Sequence, residues 1–131
     1  MTDLDPADFR SDCSIARTLD LLGDRWTLLV VRDLMWHGKQ TFKALSDSAE
    51  HVPSNILSDR LAKLRRWGLV TRDAYQDRPV RYRYVLTDAG KSLEPVLKAA
   101  MSWGNAHLGG GFHDPAATPP NKRASRPKPR L

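Results

Sequence analysis

The sequence predicts an α+β fold that is mostly helical and carries one two-stranded β-hairpin. Two patterns lead to this prediction. Apolar residues recur at helical spacing in four segments between residues 12 and 67, and again over residues 87–108. Between them, residues 69–86 alternate apolar and polar side chains around a short loop, as a hairpin does. A chain of 131 residues suffices for one domain of this kind.

The first two helices differ in how much of their surface is apolar. The first begins after Ser11 or Asp12 as N-cap and stops at Gly23, and its apolar residues form a single stripe. The second, over residues 25–36, follows Asp24 as N-cap and is apolar on nearly all sides. We therefore expect it to be central, or shared between the core and a subunit contact.

A short helix, a turn and a longer helix come next. Thr41 is a good N-cap for the short helix, and residues 46–52 lose periodicity, which indicates a turn. Pro53 suits the first turn of a helix that runs to about Trp67, after which Gly68 is a natural stop. One buried stripe is predicted on this fourth helix, formed by Leu57, Leu61 and Leu64.

The hairpin is predicted from two strands, residues 69–75 and 80–86, joined by a loop at residues 76–79. On the second strand, Tyr and Leu side chains alternate with Arg and Val. Because successive side chains of a strand point to opposite faces, we expect one face to be buried and the arginine face to be exposed.

One more helix and the two chain ends complete the fold prediction. Thr87 is a suitable N-cap for a helix that runs to about Leu108 and that Pro95 is expected to kink. Residues 1–11 lack apolar periodicity and are expected to be flexible. Residues 109–131 are rich in Gly, Pro and cations, so they cannot bury enough apolar surface to fold; we expect a disordered basic tail.

This order of elements is that of a winged helix-turn-helix, a three-helix core with a two-stranded β-wing. Residues 54–86 hold eight Lys or Arg and three Asp or Glu, in a chain whose net charge is +6. Such a basic block indicates a polyanionic partner. We therefore expect double-stranded DNA, with the helix at residues 53–67 in the major groove and the wing at residues 69–86 on the flanking backbone or minor groove.

DNA contacts are predicted on the outward face of the fourth helix and on the wing. Short polar groups near the helix start suit base edges, and cations elsewhere suit phosphates. The sequence leaves two roles open for Arg60, a phosphate contact or an internal salt bridge. Asp59 either accepts from a cytosine amine or pairs with Lys63, which we favour. The predicted DNA-binding residues are Ser54, Asn55, Ser58, Arg60, Lys63, Arg66, Arg78, Arg81 and Arg83.

The sequence resembles the HxlR family of bacterial regulators over about residues 12–108. The runs that carry the resemblance are CSIARTLDLLGDRWTLLVVRDL, FKALSD, ILSDRLAKLRRWGLV and PVRYRYVLTDAGKSLEPVL. The resemblance implies a homodimer built on the N- and C-terminal helices that reads a palindromic operator, and we expect a repressor. Cys13 falls on the family's N-terminal cysteine, a thiol that senses oxidants or electrophiles in some members, so it is a candidate sensor. The small-molecule or oxidant effector is not specified by the sequence.

Other classes of function find little support. His37, His51, His107 and His113 share no metal-ligand spacing, and we expect neither a metal nor a cofactor. No nucleophile, base and orienting group are spaced as in an enzyme. No apolar run is long enough to span a membrane, and the acidic N-terminus is unlike a secretory signal, so we expect a cytoplasmic protein. The remaining alternative is a winged helix that contacts another protein and not DNA.

Overall fold

The computed structural model describes residues 5–111, and it has the mostly helical α+β fold that the sequence predicts. A two-stranded antiparallel sheet follows the helix-turn-helix. A 3-10 turn at Pro6–Asp8 precedes the first helix. The helices are α1 (Ser14–Leu22), α2 (Thr27–Trp36), α3 (Phe42–Ser46), α4 (Ser54–Arg66), α5 (Asp88–Lys91) and α6 (Glu94–Leu108), and the strands are β1 (Val70–Asp77) and β2 (Val80–Leu86).

The chain forms two compact units, one that ends at Ser92 and one that starts at Leu93 and contains α6. The core of the first unit is centred on α4, whose predicted stripe of three leucines is confirmed as buried. The largest fully buried side chains are Leu45, Leu57, Leu61, Leu64, Val31 and Thr27. Burying one such leucine contributes roughly 1.5–3 kcal/mol, so this stripe fixes which face of α4 remains outside.

The predicted cap of α3 is confirmed, whereas α2 starts at Thr27 with Trp26 as its N-cap residue, later than the predicted start at residue 25 after Asp24. The Asp24 carboxylate accepts the backbone N–H groups of Trp26 at 3.0 Å and Thr27 at 3.1 Å, so α2 begins at Thr27. The Thr41 hydroxyl accepts the N–H of Ala44 at 3.1 Å and starts α3. The predicted cap of α1 is wrong, because its N-cap residue is Cys13, whose side chain forms no capping bond.

The wing is longer than predicted. The expected loop at residues 76–79 shrinks to Arg78 and Pro79, which are joined by a cis peptide, because Gln76 and Asp77 still pair with β2. The Gln76 amide donates to the carbonyl of Pro79 at 3.0 Å and closes the tip. A β-bulge at Tyr75 shifts the register. On β2 the tyrosine and leucine face is the more buried one and the arginine face is exposed, as predicted.

The predicted single helix from residue 88 to residue 108 is wrong, because α5 ends at Lys91 and α6 starts at Glu94. Pro95 causes the break: its ring would clash with the carbonyl four residues earlier, whereas in a first turn it costs nothing. In α5, a Cβ on Gly90 would lie 2.1 Å from the carbonyl oxygen of Leu69, so only glycine permits this approach.

Residues 5–11, for which the sequence predicts no fixed structure, contact the rest of the first unit. The Phe9 ring meets Trp67 edge-on at 5.5 Å between centroids, and the Arg17 guanidinium lies 4.6 Å from the same ring. Residues 1–4 and the tail from residue 112 lie outside the described residues. Among residues 5–111, no helix combines the length and the hydropathy needed to cross a bilayer.

Candidate nucleic-acid interface

The outward face of α4 begins with three short polar side chains, Ser54, Asn55 and Ser58. All three are exposed, and none forms a side-chain hydrogen bond within residues 5–111. Pro53 precedes the helix and supplies no side-chain cap, so the N–H groups of the first turn are also unpaired by side chains. Donors and acceptors at this end of α4 can therefore meet an external partner.

Arg60 is held inside the protein. Its Nε donates to the Asp24 carboxylate at 2.8 Å, and its Nη1 donates to Asp59. Of the two alternatives left open by the sequence, the structure thus has the internal salt bridge. Partial burial opposes ionisation of Asp24, but hydrogen bonds from Thr27 and Arg60 outweigh it and hold the pKa of Asp24 well below its usual value.

Lys63 also departs from its predicted position. It was expected to face outward and to pair with Asp59, but its Nζ donates to the backbone carbonyl of Asp20 in α1 at 2.9 Å. The carboxylate of Asp20 accepts the backbone N–H of Arg10 at 3.1 Å and a guanidinium N–H of the same residue. That backbone bond is the main reason why the pKa of Asp20 is lowered. Lys63 and Arg60 therefore join α4 to α1 and to the turn after it.

The wing presents Arg78 at its tip and Arg81 beside it, both exposed and without an ion-pair partner within residues 5–111. The exposed Arg83 lies with its Cζ 5.1 Å from the centroid of the Tyr75 ring. Its backbone forms a β-bridge with Thr41, and the next N–H along β2 donates to the carbonyl of Gln40 at 2.7 Å. These bonds fix the base of the wing to the start of α3.

A shallow depression separates α4 from β1 and carries positive charge. Arg65, Arg66 and Arg72 line it with three uncharged residues, and no Asp or Glu does so in the part of the chain that the structure describes. Arg66 is exposed near the end of α4, on the same face as Asn55. The predicted DNA-binding residues that face outward therefore flank a cationic surface.

The sequence analysis missed a buried ionic cluster on α2. Arg32 donates to both carboxylate oxygens of Glu50, at 2.9 and 2.8 Å, and to Asp33 at 3.0 Å. Asp33 also accepts from the hydroxyl of Ser48. The cluster joins α2 to the turn between α3 and α4. Its one signal in the sequence was an adjacent Arg–Asp pair inside the apolar run of α2.

Two helices expose apolar side chains. On α1, Ile15 is 72% exposed and Leu19 is 50% exposed; on α6, Trp103 is 60% exposed. Cys13 is a free, exposed thiol at the start of α1. Among the described residues, no cluster of three or more His, Cys, Asp or Glu side chains could hold a metal ion.

Comparison with known proteins gives a consistent picture. Residues 21–111 match the model of the HxlR-like helix-turn-helix family. The HTH-type transcriptional regulator YvaP of Bacillus subtilis is 35% identical over 98 residues, which are 75% of this chain and 90% of YvaP. The HTH-type transcriptional regulator MT3179 of Mycobacterium tuberculosis is 38% identical over 95 residues, 72% of this chain but 59% of the longer relative.

Solved structures extend the likeness to the fold. PA1607 superposes with a TM-score of 0.66 at 31% identity, covering 93% of this chain and 83% of that protein. The redox regulator HypR in its reduced form superposes with a TM-score of 0.63 at 28% identity, covering 72% of this chain and 93% of HypR.

Proposed function

Since this chain belongs to the HxlR-like helix-turn-helix family, we propose that it acts as a homodimeric repressor that binds a palindromic operator. It is an HTH-type transcriptional regulator and not an enzyme. A regulator of this kind works on genomic DNA, so we expect it in the cytoplasm. The observation that carries the proposal is the outward face of α4, where unpaired polar groups precede an exposed arginine.

In this proposal α4 lies in the major groove, which is about 12 Å wide and admits one helix. Asn55 and Ser58 meet base edges, and Ser54 with the first N–H groups of α4 meets a phosphate. The leucine stripe supports this orientation, because it turns these groups away from the core.

Phosphate contacts come from Arg66 on α4 and from Arg78, Arg81 and Arg83 on the wing. Arg60 and Lys63 have a different part in the proposal. Their bonds to Asp24 and to Asp20 hold α4 at a fixed angle to α1, so they orient the helix that reads the bases.

The homodimer is proposed to form through the exposed apolar side chains of α1 and α6. A two-fold dimer places two recognition helices on half-sites one helical turn apart, about 34 Å. Ile15 and Leu19 lie one helical turn apart on α1 and would form one continuous apolar strip at the subunit contact.

A second proposal concerns Cys13. An exposed free thiol at the start of α1 lies close to the proposed subunit contact, so its oxidation would alter the dimer. HypR, a redox regulator, has a solved oxidised form as well as a reduced one. Operator binding by wild type and Cys13→Ser, with and without diamide, tests this: sensing requires that only the wild type responds.

The main test selects bound sequences from a random duplex library and measures affinity for the selected site at several salt concentrations. Several phosphate contacts per dimer should reduce the affinity by orders of magnitude between about 50 and 200 mM salt. If no duplex binds even at low salt, the winged helix is a protein-contact module and the proposal is wrong.

A further inference from the structure

A second groove lies between the start of α3 and the wing. Its volume is about 420 Å³, within the range of roughly 300–1,000 Å³ that is usual for small-molecule sites. Aromatic rings and cations line it together. The residues that matter here are Phe42, Tyr75 and Tyr82 among the rings, and Lys43, Arg72 and Arg81 among the cations.

The charge of this groove is one-sided. No Asp or Glu lines it within residues 5–111. Lys43 pairs with Asp47 outside the groove at 3.9 Å, whereas Arg72 and Arg81 have no carboxylate partner among the described residues. The guanidinium of Arg72 lies 3.8 Å from the centroid of the Tyr82 ring and makes no ion pair with any described carboxylate. A guanidinium stacked in this way keeps its N–H edge available for a carboxylate, which it can bind with two parallel hydrogen bonds.

The aromatic lining argues for a small molecule in this groove and against the DNA backbone. A phosphate can accept a hydrogen bond from a tyrosine hydroxyl, but the faces of rings such as Tyr75, which is 43% exposed, give it no favourable contact. The depression beside α4 has the composition that suits a phosphate, since it carries three arginines and no ring. A flat aromatic body with one negative group satisfies both the rings and the cations of the groove.

Arg72 lines the groove and also the depression that faces α4. We propose that the groove binds a planar aromatic carboxylate, and that this ligand weakens operator binding by engaging Arg72. The coupling rests on the proposed function, whereas the ligand site does not. When the Arg72 guanidinium pairs with the ligand, it is drawn away from a phosphate beside β1. Binding of the ligand and binding of DNA therefore oppose each other. By linkage, DNA must weaken ligand binding by the same factor.

The first experiment measures ligand binding by calorimetry without DNA, with 2-naphthoate as the probe and 2-naphthamide as its neutral match. The acid should bind at least about tenfold more tightly than the amide, because only the acid forms charge-assisted bonds. Arg81→Gln and Arg72→Gln should each weaken acid binding by about tenfold. Tyr75→Ser, a change at an exposed ring, should weaken the binding of both probes. Lys91→Gln removes an exposed cation outside the groove and should change the affinity for neither probe.

Equal affinity for acid and amide, or an acid affinity that none of the groove variants alters, would overturn the site. Failure of the acid to bind at millimolar concentration would do the same. These outcomes do not depend on DNA, so they separate the groove from the proposed function.

The second experiment measures affinity for the selected operator with and without saturating 2-naphthoate, at constant salt. The wild type should lose operator affinity by about tenfold, a typical coupling. Arg72→Gln should lose clearly less at a saturating ligand concentration, because the ligand then engages only Arg81 among the proposed phosphate contacts. An acid that binds but leaves operator affinity unchanged would overturn the coupling. If Arg72→Gln weakens DNA binding while the wild type ignores the acid, the groove belongs to the DNA interface and the proposal is wrong.

Discussion

Arg60 on α4 donates to the carboxylate of Asp24 at 2.8 Å, and so it ties the proposed recognition helix to the turn before α2. The same carboxylate accepts the N–H groups of Trp26, the N-cap residue of α2, and of Thr27, its first residue. One side chain thus sets both the start of α2 and the angle of α4. Both partners are about three-quarters buried, so solvent screens this pair less than it screens a surface salt bridge.

Removal of this carboxylate should cost stability. We expect Asp24→Ala to lower the free energy of unfolding by about 1–3 kcal/mol, because it removes the acceptor of two N–H groups at the start of α2 and leaves Arg60 without its main partner. Asp24→Asn should cost less, since the amide oxygen still accepts hydrogen bonds. Urea unfolding measures both. Asp73→Ala, at an exposed wing position, is the matched control. A loss from Asp24→Ala no larger than the control's would contradict the prediction.

The lowered pKa of Asp24 makes this contribution depend on pH. Because the folded-state pKa lies below the unfolded value of about 3.9, the stabilisation is complete above that value and is lost as the pH falls toward the folded pKa. The stability gap between wild type and Asp24→Asn should therefore be largest near pH 6 and shrink below about pH 4. Urea unfolding at several pH values tests this, and a gap that does not vary with pH would refute it.

The helical periods and the strand alternation predicted the fold well, because they follow from which side chains are buried. Leu57, Leu61 and Leu64 are buried as their spacing requires. The division between α5 and α6 was missed because Pro95 is compatible with either a kink or a new first turn, and local sequence does not choose between them.

The sequence predicted some features of the candidate interface and missed others. The exposure of Asn55 and Arg81 followed from periodicity alone. The position of Lys63 did not, because a long flexible side chain reaches whichever acceptor the tertiary structure provides, here a carbonyl on α1. The groove beside α3 was also beyond sequence reasoning, since its lining comes from segments about 30 residues or more apart.

Base reading should depend on Asn55. Because its amide is exposed and unpaired near the start of α4, Asn55→Ala should weaken operator binding by about 1–3 kcal/mol and leave binding to random duplex nearly unchanged. Fluorescence anisotropy with the selected operator and with a scrambled duplex gives both numbers. Equal losses on the two duplexes would assign Asn55 to the backbone and refute a reading role.

Salt dependence should separate the outward cations from the internal ones. Arg66→Gln, Arg78→Gln and Arg81→Gln should each reduce the slope of log affinity against log salt by about one unit per protomer. Lys63→Gln should leave this slope unchanged, because its ammonium is engaged by the Asp20 carbonyl. The four variants carry the same change of charge, so each controls for the others. A slope that falls as much for Lys63→Gln as for Arg66→Gln would show that Lys63 leaves α1 when DNA binds.

The exposed apolar strip on α1 should hold the dimer together. Leu19→Glu places a charge at a side chain that is 50% exposed in the single chain, where a subunit contact would desolvate it. We expect the wild type to sediment at twice 14.8 kDa and Leu19→Glu to sediment at 14.8 kDa. The variant should also bind the operator more weakly, because a monomer occupies each half-site independently. Val85→Glu makes a comparable change on the exposed face of the wing and should remain a dimer. A dimer that survives Leu19→Glu, or a monomeric wild type at micromolar concentration, would remove α1 from the subunit contact.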